Sequence, residues 1–206
     1  MEIGLAFGVS SLYLCEALLR TGAVRHTIVD PYQHRKWYGA GLPQLQEAGY
    51  ESLIEFTEQH PHVLLPQMLD ERKEHLDLCF LDGLKRFDLV LTNAFYLIKM
   101  LRPGGVIFFD DVNGWAGVVK VCPFISQLPE FQVFCPCRGS GPVSLKSKFA
   151  QRSKRAAANA FAQLPLVPGF AASKHYFDAQ HDLNVVGVGF QKTDEGEAPW
   201  DFFAEF

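Results

Sequence analysis

The chain has 206 residues, 48% apolar and 20% charged, with 23 acidic against 19 basic side chains and a net charge of −4. This excludes a disordered, collagen-like or coiled-coil protein, and the acidic balance gives no reason to expect a nucleic-acid partner. One domain with a sizeable buried core is expected at this length.

Met1 to Leu5, short and apolar with an early acid, reads as the end of a strand, followed by a turn framed by Gly4 and Gly8. Ser10 or Ser11 is the expected N-cap of a helix over Leu12 to Arg20, which Thr21-Gly22 stops. Val24 to Asp30 is the next strand, closed by Pro31. Gly41 to Ala48 reads as helix, Ser52 to Thr57 as strand, and Pro61 opens a helix that Val63 to Arg72 continues. Leu76 to Leu81 is a strand of the buried parallel kind, because Leu78-Cys79-Phe80-Leu81 is continuously apolar. Phe87 to Leu101 carries its apolar residues on one helical side, and Pro103-Gly104-Gly105 turns the chain into a strand over Val106 to Phe109. A helix over Val118 to Leu128, a strand over Phe131 to Phe134 and a last strand over Asn184 to Gln191 complete the pattern. Cys135 to Pro142 reads as loop.

Strands alternating with helices predict a parallel sheet with right-handed crossovers. Ligands of such sheets bind at the carboxyl ends of the strands. The glycine turn brings backbone close to a ligand, and a helix start offers unpaired amides. Asp30, some twenty residues on, can accept hydrogen bonds from both hydroxyls of a ribose, or can cap the turn before Pro31. Together they point to a nucleoside. The spacing is not the dinucleotide GxGxxG pattern, because Ala stands at position 6 and Glu2 precedes the first glycine.

Asp82 follows one central strand and Asp110-Asp111 the next. Neighbouring strand ends lie about 5 Å apart, so three carboxylates there repel unless a cation or protons neutralise them. An oxygen-only set suits Mg²⁺, Mn²⁺ or Ca²⁺. Alternatively, the carboxylates bond backbone amides. Five cysteines, an odd number, read as free thiols in a reducing cytoplasm. Cys135-Pro136-Cys137 lacks a second pair at zinc spacing, and His34, His60, His62, His75 and His181 follow no ligand pattern and read as surface residues. No apolar run reaches the roughly 18–20 residues of a membrane span, and the first residues do not read as a secretory leader. Between Phe131 and Phe177 stand seven basic residues and no acidic one. Such a block is a solvated surface or faces phosphate, an acidic substrate or an acidic partner.

Glu2-Ile3-Gly4, Gly8-Val9-Ser10, Asp30 and Leu101 to Asp111 resemble class I S-adenosylmethionine-dependent methyltransferases. Phe80-Leu81-Asp82-Gly83-Leu84-Lys85 resembles their small-molecule O-methyltransferase branch, related to catechol O-methyltransferase and cephalosporin hydroxylase-type proteins. The resemblance covers residues 1–134. It implies a Rossmann-like, seven-stranded, mostly parallel α/β sheet with helices on both faces and an antiparallel last strand. It implies S-adenosylmethionine as cofactor, with Glu2, Gly4, Gly8, Ser10 and Asp82 beside it and Asp30 on its ribose. It further implies Mg²⁺ or Mn²⁺ at Asp82, Asp110 and Asp111, and a small-molecule acceptor methylated on a hydroxyl oxygen. Many relatives carry His at the position of Lys85 and Asp at that of Asn93. The catechol-type enzymes carry a catalytic lysine three residues after the first metal aspartate, where Lys85 stands.

Relatives also carry lid helices ahead of the first strand, and these are expected to be missing here. The single domain then divides into a cofactor-binding core (1–134), a basic insert or replacement lid (135–183) and a last strand with an acidic-aromatic tail (184–206). Trp115 is expected either to wall the substrate or simply to pack. Two other functions remain open on sequence alone, an inactive cofactor-binding or scaffold protein and a nicotinamide-dependent oxidoreductase. A homo-oligomer is also left open.

Overall fold

The computed structural model describes residues 1–23, 25–71, 76–138, 185–194 and 196. The basic block beyond position 138 and the acidic-aromatic tail beyond 196 lie outside the described residues, as do His75 and His181. The elements in chain order are β1 (Glu2–Ile3), α1 (Val9–Arg20), β2 (His26–Val29), α2 (Gln33–Trp37), α3 (Gly41–Glu47), β3 (Ile54–Thr57), α4 (Pro61–Glu71) and β4 (Leu76–Leu81). They continue with α5 (Phe87–Met100), β5 (Leu101–Asp110), α6 (Ala116–Gln127), β6 (Phe131–Arg138) and β7 (Val185–Lys192).

Among the described residues seven strands form one sheet in the order β3-β2-β1-β4-β5-β7-β6. The first five run parallel, and β7 lies antiparallel between β5 and β6. The expected architecture is therefore present, antiparallel last strand included. One face buries Cys79, Leu81, Ile107, Phe109 and Phe190 against α4, α5 and α6. Val90, Ala94 and Leu97 form the matching stripe of α5, at helical spacing. The other face buries Leu5, Ile28 and Leu53 with Cys15 of α1 and Leu45 of α3. Truncating a fully buried leucine such as Leu97 to Ala costs about 2–5 kcal/mol in such a core. No helix among the described residues is long and apolar enough to cross a membrane.

Three local readings change. The expected loop over Cys135-Pro136-Cys137 is strand, paired with β7. Pro136 is tolerated because β6 is the sheet edge. Strand β5 starts at Leu101, opposite Leu76, and Arg102 to Gly105 bulge out before pairing resumes at Val106. The short helix α2 was not anticipated.

Candidate functional site

The register sets Ile3, Val29, Leu81 and Phe109 side by side in β1, β2, β4 and β5. The residues that follow them, Gly4, Asp30, Asp82 and Asp110, therefore form a row across the carboxyl edge of the sheet. Gly4 has φ 103°, and a Cβ there would stand 2.5 Å from the Asp82 carbonyl oxygen. Only glycine lets β1 leave the sheet this close to β4. Ala6 follows in the left-handed region at φ 47°, the conformation more often held by glycine. Gly8, also left-handed, is the N-cap of α1, with no side-chain cap bond.

The two serines do not cap the helix. Ser10 Oγ donates to Glu2 Oε1 at 2.6 Å and Ser11 Oγ to Glu2 Oε2 at 2.5 Å. His26 Nε2 lies 2.9 Å from the same Oε2. Glu2 is 0% exposed, so this carboxylate ties β1, β2 and α1 together from within. Asp30 also turns to backbone. Its Oδ2 accepts from Leu5 N and Ala6 N at 3.0 Å each, and its Oδ1 from Tyr32 N at 2.9 Å. Asp30 thereby fixes the turn that Gly4 begins.

Two hollows open along the row. The first, a cavity of about 150 Å³, is walled by Gly4, Ala6, Asp30, Tyr32, Trp37 and Asp82, with Leu84, Leu89 and Asn93 on the α5 side. His60 and His62, read from sequence as surface residues, line it too. The second, of about 470 Å³, is walled by Ala6, Phe7, Ser10, Phe80, Phe108 and Cys137. Asp82 belongs to both, and Asp110 to the second. Glu2 and Gly8 line neither; they shape the turn from behind. Trp115 is more than half exposed and also lines neither hollow.

Asp82, Asp110 and Asp111 each offer a carboxylate oxygen, and these oxygens lie within 4.8 Å of one another. Asp111 reaches this group from a left-handed backbone at φ 60°. Lys85 Nζ lies 2.8 Å from Asp82 Oδ1 and 3.4 Å from Asp111 Oδ2, with its side chain 11% exposed. Burial pushes the Asp82 carboxyl above the ordinary aspartate range; Lys85 opposes the shift, and Asp110 and Asp111 reinforce it. An excess of negative charge on hard oxygen donors fits a divalent cation of the Mg²⁺ type. The loop after β4 is held from the far side by α6. A Cβ at Gly117 would stand 2.2 Å from the Lys85 carbonyl oxygen, so glycine is required for this contact.

Sequence reasoning missed Tyr32, Trp37, His26 and the seat of Lys85 on Gly117. Trp37 lies on a five-residue helix too short for periodicity to show, and its ring meets Phe7 edge-on at 5.0 Å. The buried His26 leaves no pattern in a four-residue strand.

A family model described as a methyltransferase domain matches residues 1–112. Caffeoyl-CoA O-methyltransferase 2 of Petunia hybrida is 34% identical over 125 residues, which is 60% of this chain and 49% of that protein. The Populus trichocarpa protein of the same name is 34% identical over 121 residues, 58% of this chain and 46% of its own. The chain thus spans about half the length of the curated relatives it matches. The O-methyltransferase TomG of Streptomyces achromogenes, solved with SAM, superposes with a TM-score of 0.60 at 19% identity, covering 94% of this chain and 72% of TomG. An O-methyltransferase of Bacillus cereus, solved with SAH, gives 0.55 at 21% identity over 68% and 67%. With its family match on 1–112 and the strand order described above, the chain belongs to the methyltransferase domain family.

Proposed function

We propose that this chain transfers the methyl group of S-adenosylmethionine to a hydroxyl oxygen of a small aromatic acceptor. The observation that carries this reading is the double placement of Asp82, which lies in the walls of both hollows and beside Asp110 and Asp111. A donor in the first hollow and an acceptor in the second would meet at that residue. The relatives are named for O-methylation of caffeoyl-CoA, and the second hollow carries the stacked rings of Phe80 and Phe108, 5.7 Å apart. Both support an aromatic acceptor.

Asp82, Asp110 and Asp111 are the residues that would hold Mg²⁺ or Mn²⁺. When bound, such a cation neutralises the carboxylates and lowers the pKa of an acceptor hydroxyl. The chain itself supplies position. The Gly4 to Gly8 turn, braced by Asp30 and Glu2, fixes the donor's floor, and the two hollows set the attack line across Asp82. Lys85 Nζ would receive the hydroxyl proton only as a neutral amine, so its ammonium must first lose a proton as well as its pairing with Asp82.

Isothermal calorimetry with S-adenosylhomocysteine, followed by label transfer from methyl-tritiated S-adenosylmethionine to a panel of aromatic diols, tests the reading. Binding, with transfer in Mg²⁺ and none in EDTA, is expected. Binding without transfer to any diol would favour a cofactor-binding protein. No binding, with a melting shift from NADH instead, would favour an oxidoreductase.

A further inference from the structure

Asn93 sits on the second turn of α5, one helical step from Leu89, and both line the first cavity. It interrupts the apolar stripe that buries this helix, between Val90 and Ala94. Its residue is 6% exposed, and its Oδ1 has no hydrogen-bond partner. A buried carbonyl left without a donor is destabilising until something donates to it. Of the residues with a buried polar atom that lacks a partner among the described residues, Gln33 and Glu130 lie outside this cavity and Asn93 lines it.

Three of the other polar groups of the cavity are already engaged. Asp30 accepts from three backbone amides. Asp82 pairs with Lys85, and Lys36 lies 4.4 Å from the centre of the Tyr32 ring. The lining also includes the apolar side chains of Ile3, Pro61, Leu84 and Leu89. Apolar walls with one unsatisfied amide oxygen suit a flat heterocycle that carries a donor on its edge.

We infer that Asn93 reads the base of the cofactor, its carboxamide pairing with the exocyclic amine and an adjacent ring nitrogen of adenine. A carboxamide presents one acceptor and two donors side by side. This is the complement of an adenine edge, and asparagine pairs with adenine this way in other settings. The inference rests on the proposed cofactor and goes further, because it assigns base selectivity to a residue of α5 distant in sequence from the glycine turn.

Calorimetry of S-adenosylhomocysteine against its purine-riboside analogue, in which a hydrogen replaces the amine, tests it. The wild-type chain is expected to prefer the adenine ligand by about tenfold or more, the size of one good bidentate pair. Asn93→Leu, close in volume, should bind the two ligands within about threefold of each other, with the loss falling on the adenine ligand. Asn93→Asp keeps the acceptor for the amine without the donor to the ring nitrogen, so it should weaken both ligands and widen the preference, because a carboxylate repels the bare ring nitrogen of the analogue. It also serves if the leucine variant fails to fold. A purely structural Asn93 would lower melting temperature and leave the ratio of the two affinities unchanged, and that result overturns the inference. A wild-type chain that binds the adenine ligand with no preference also overturns it while leaving the cofactor reading intact. A chain that binds neither ligand overturns both.

Discussion

Lys85 Nζ stands 2.8 Å from Asp82 Oδ1, three residues apart in sequence and level with the end of β4. The same ammonium reaches toward Asp111. Lys85 therefore holds oxygens that a divalent cation at the proposed site would also need, and the two would compete for them.

That competition can be measured. Lys85→Met should tighten Mg²⁺ binding, read by calorimetry, because a competing cation is gone. The same variant should lose about 10²–10⁴-fold in turnover, the range for a positioned acid or base. Lys85→Arg should not rescue, since a guanidinium does not give up its proton. An arginine variant with near-normal turnover would reduce Lys85 to an electrostatic role.

Asp82 gives a pH prediction. Its carboxyl is held above the ordinary range chiefly by burial. A raised carboxyl favours the folded state while protonated, and that contribution fades as pH rises through its folded value. Metal-free protein should therefore gain stability at pH 7 from Asp82→Asn, with a flatter dependence of melting temperature on acid pH. The variant should also lose the stabilisation that Mg²⁺ gives the wild type. A lower melting temperature at pH 7 would mean that the Lys85 pairing outweighs burial.

Gly4→Ala should cost about 3 kcal/mol, from backbone strain and from forcing apart the ends of β1 and β4. Thermal denaturation reads the loss directly. A stability within 0.5 kcal/mol of wild type (about the spread of neutral surface changes) would show that the turn relaxes.

Asp30→Ala strips the acceptor from Leu5 N, Ala6 N and Tyr32 N at once. Affinity for S-adenosylhomocysteine should fall by roughly 10–100-fold, together with the melting temperature. Unchanged affinity would place the ribose elsewhere.

The buried thiols of Cys15 and Cys79 are both pushed up to about 11 by burial. Thiols of the unfolded chain ionise first as pH rises, so the stability present below about pH 9 is lost between roughly 9 and 11. A Cys15→Ala/Cys79→Ala double variant should start less stable and show a shallower alkaline decline. An equal slope would assign the decline to other groups.

Much of this was legible beforehand because strand ends carry the chemistry. The continuous apolar run of β4 and the aspartates that end β4 and β5 needed only topology to come together. Capping was misread for a specific reason. Ser10 and Ser11 are cap-forming residues by chemistry, but a buried carboxylate eight and nine residues earlier claims their hydroxyls. No local pattern reports such a partner. Strand β6 was cut short at Phe134 because Pro136 reads as a breaker, and only its position at the sheet edge reverses that meaning.

The contact between Gly117 and the Lys85 carbonyl has a practical side for anyone redesigning acceptor choice. Position 115, two residues upstream, is the N-cap of α6 and more than half exposed. At 117 even a methyl group would shove the Lys85–Phe87 backbone aside. Libraries built on this scaffold should therefore hold 117 constant, because the backbone that carries Lys85 leaves room there for no more than a hydrogen atom.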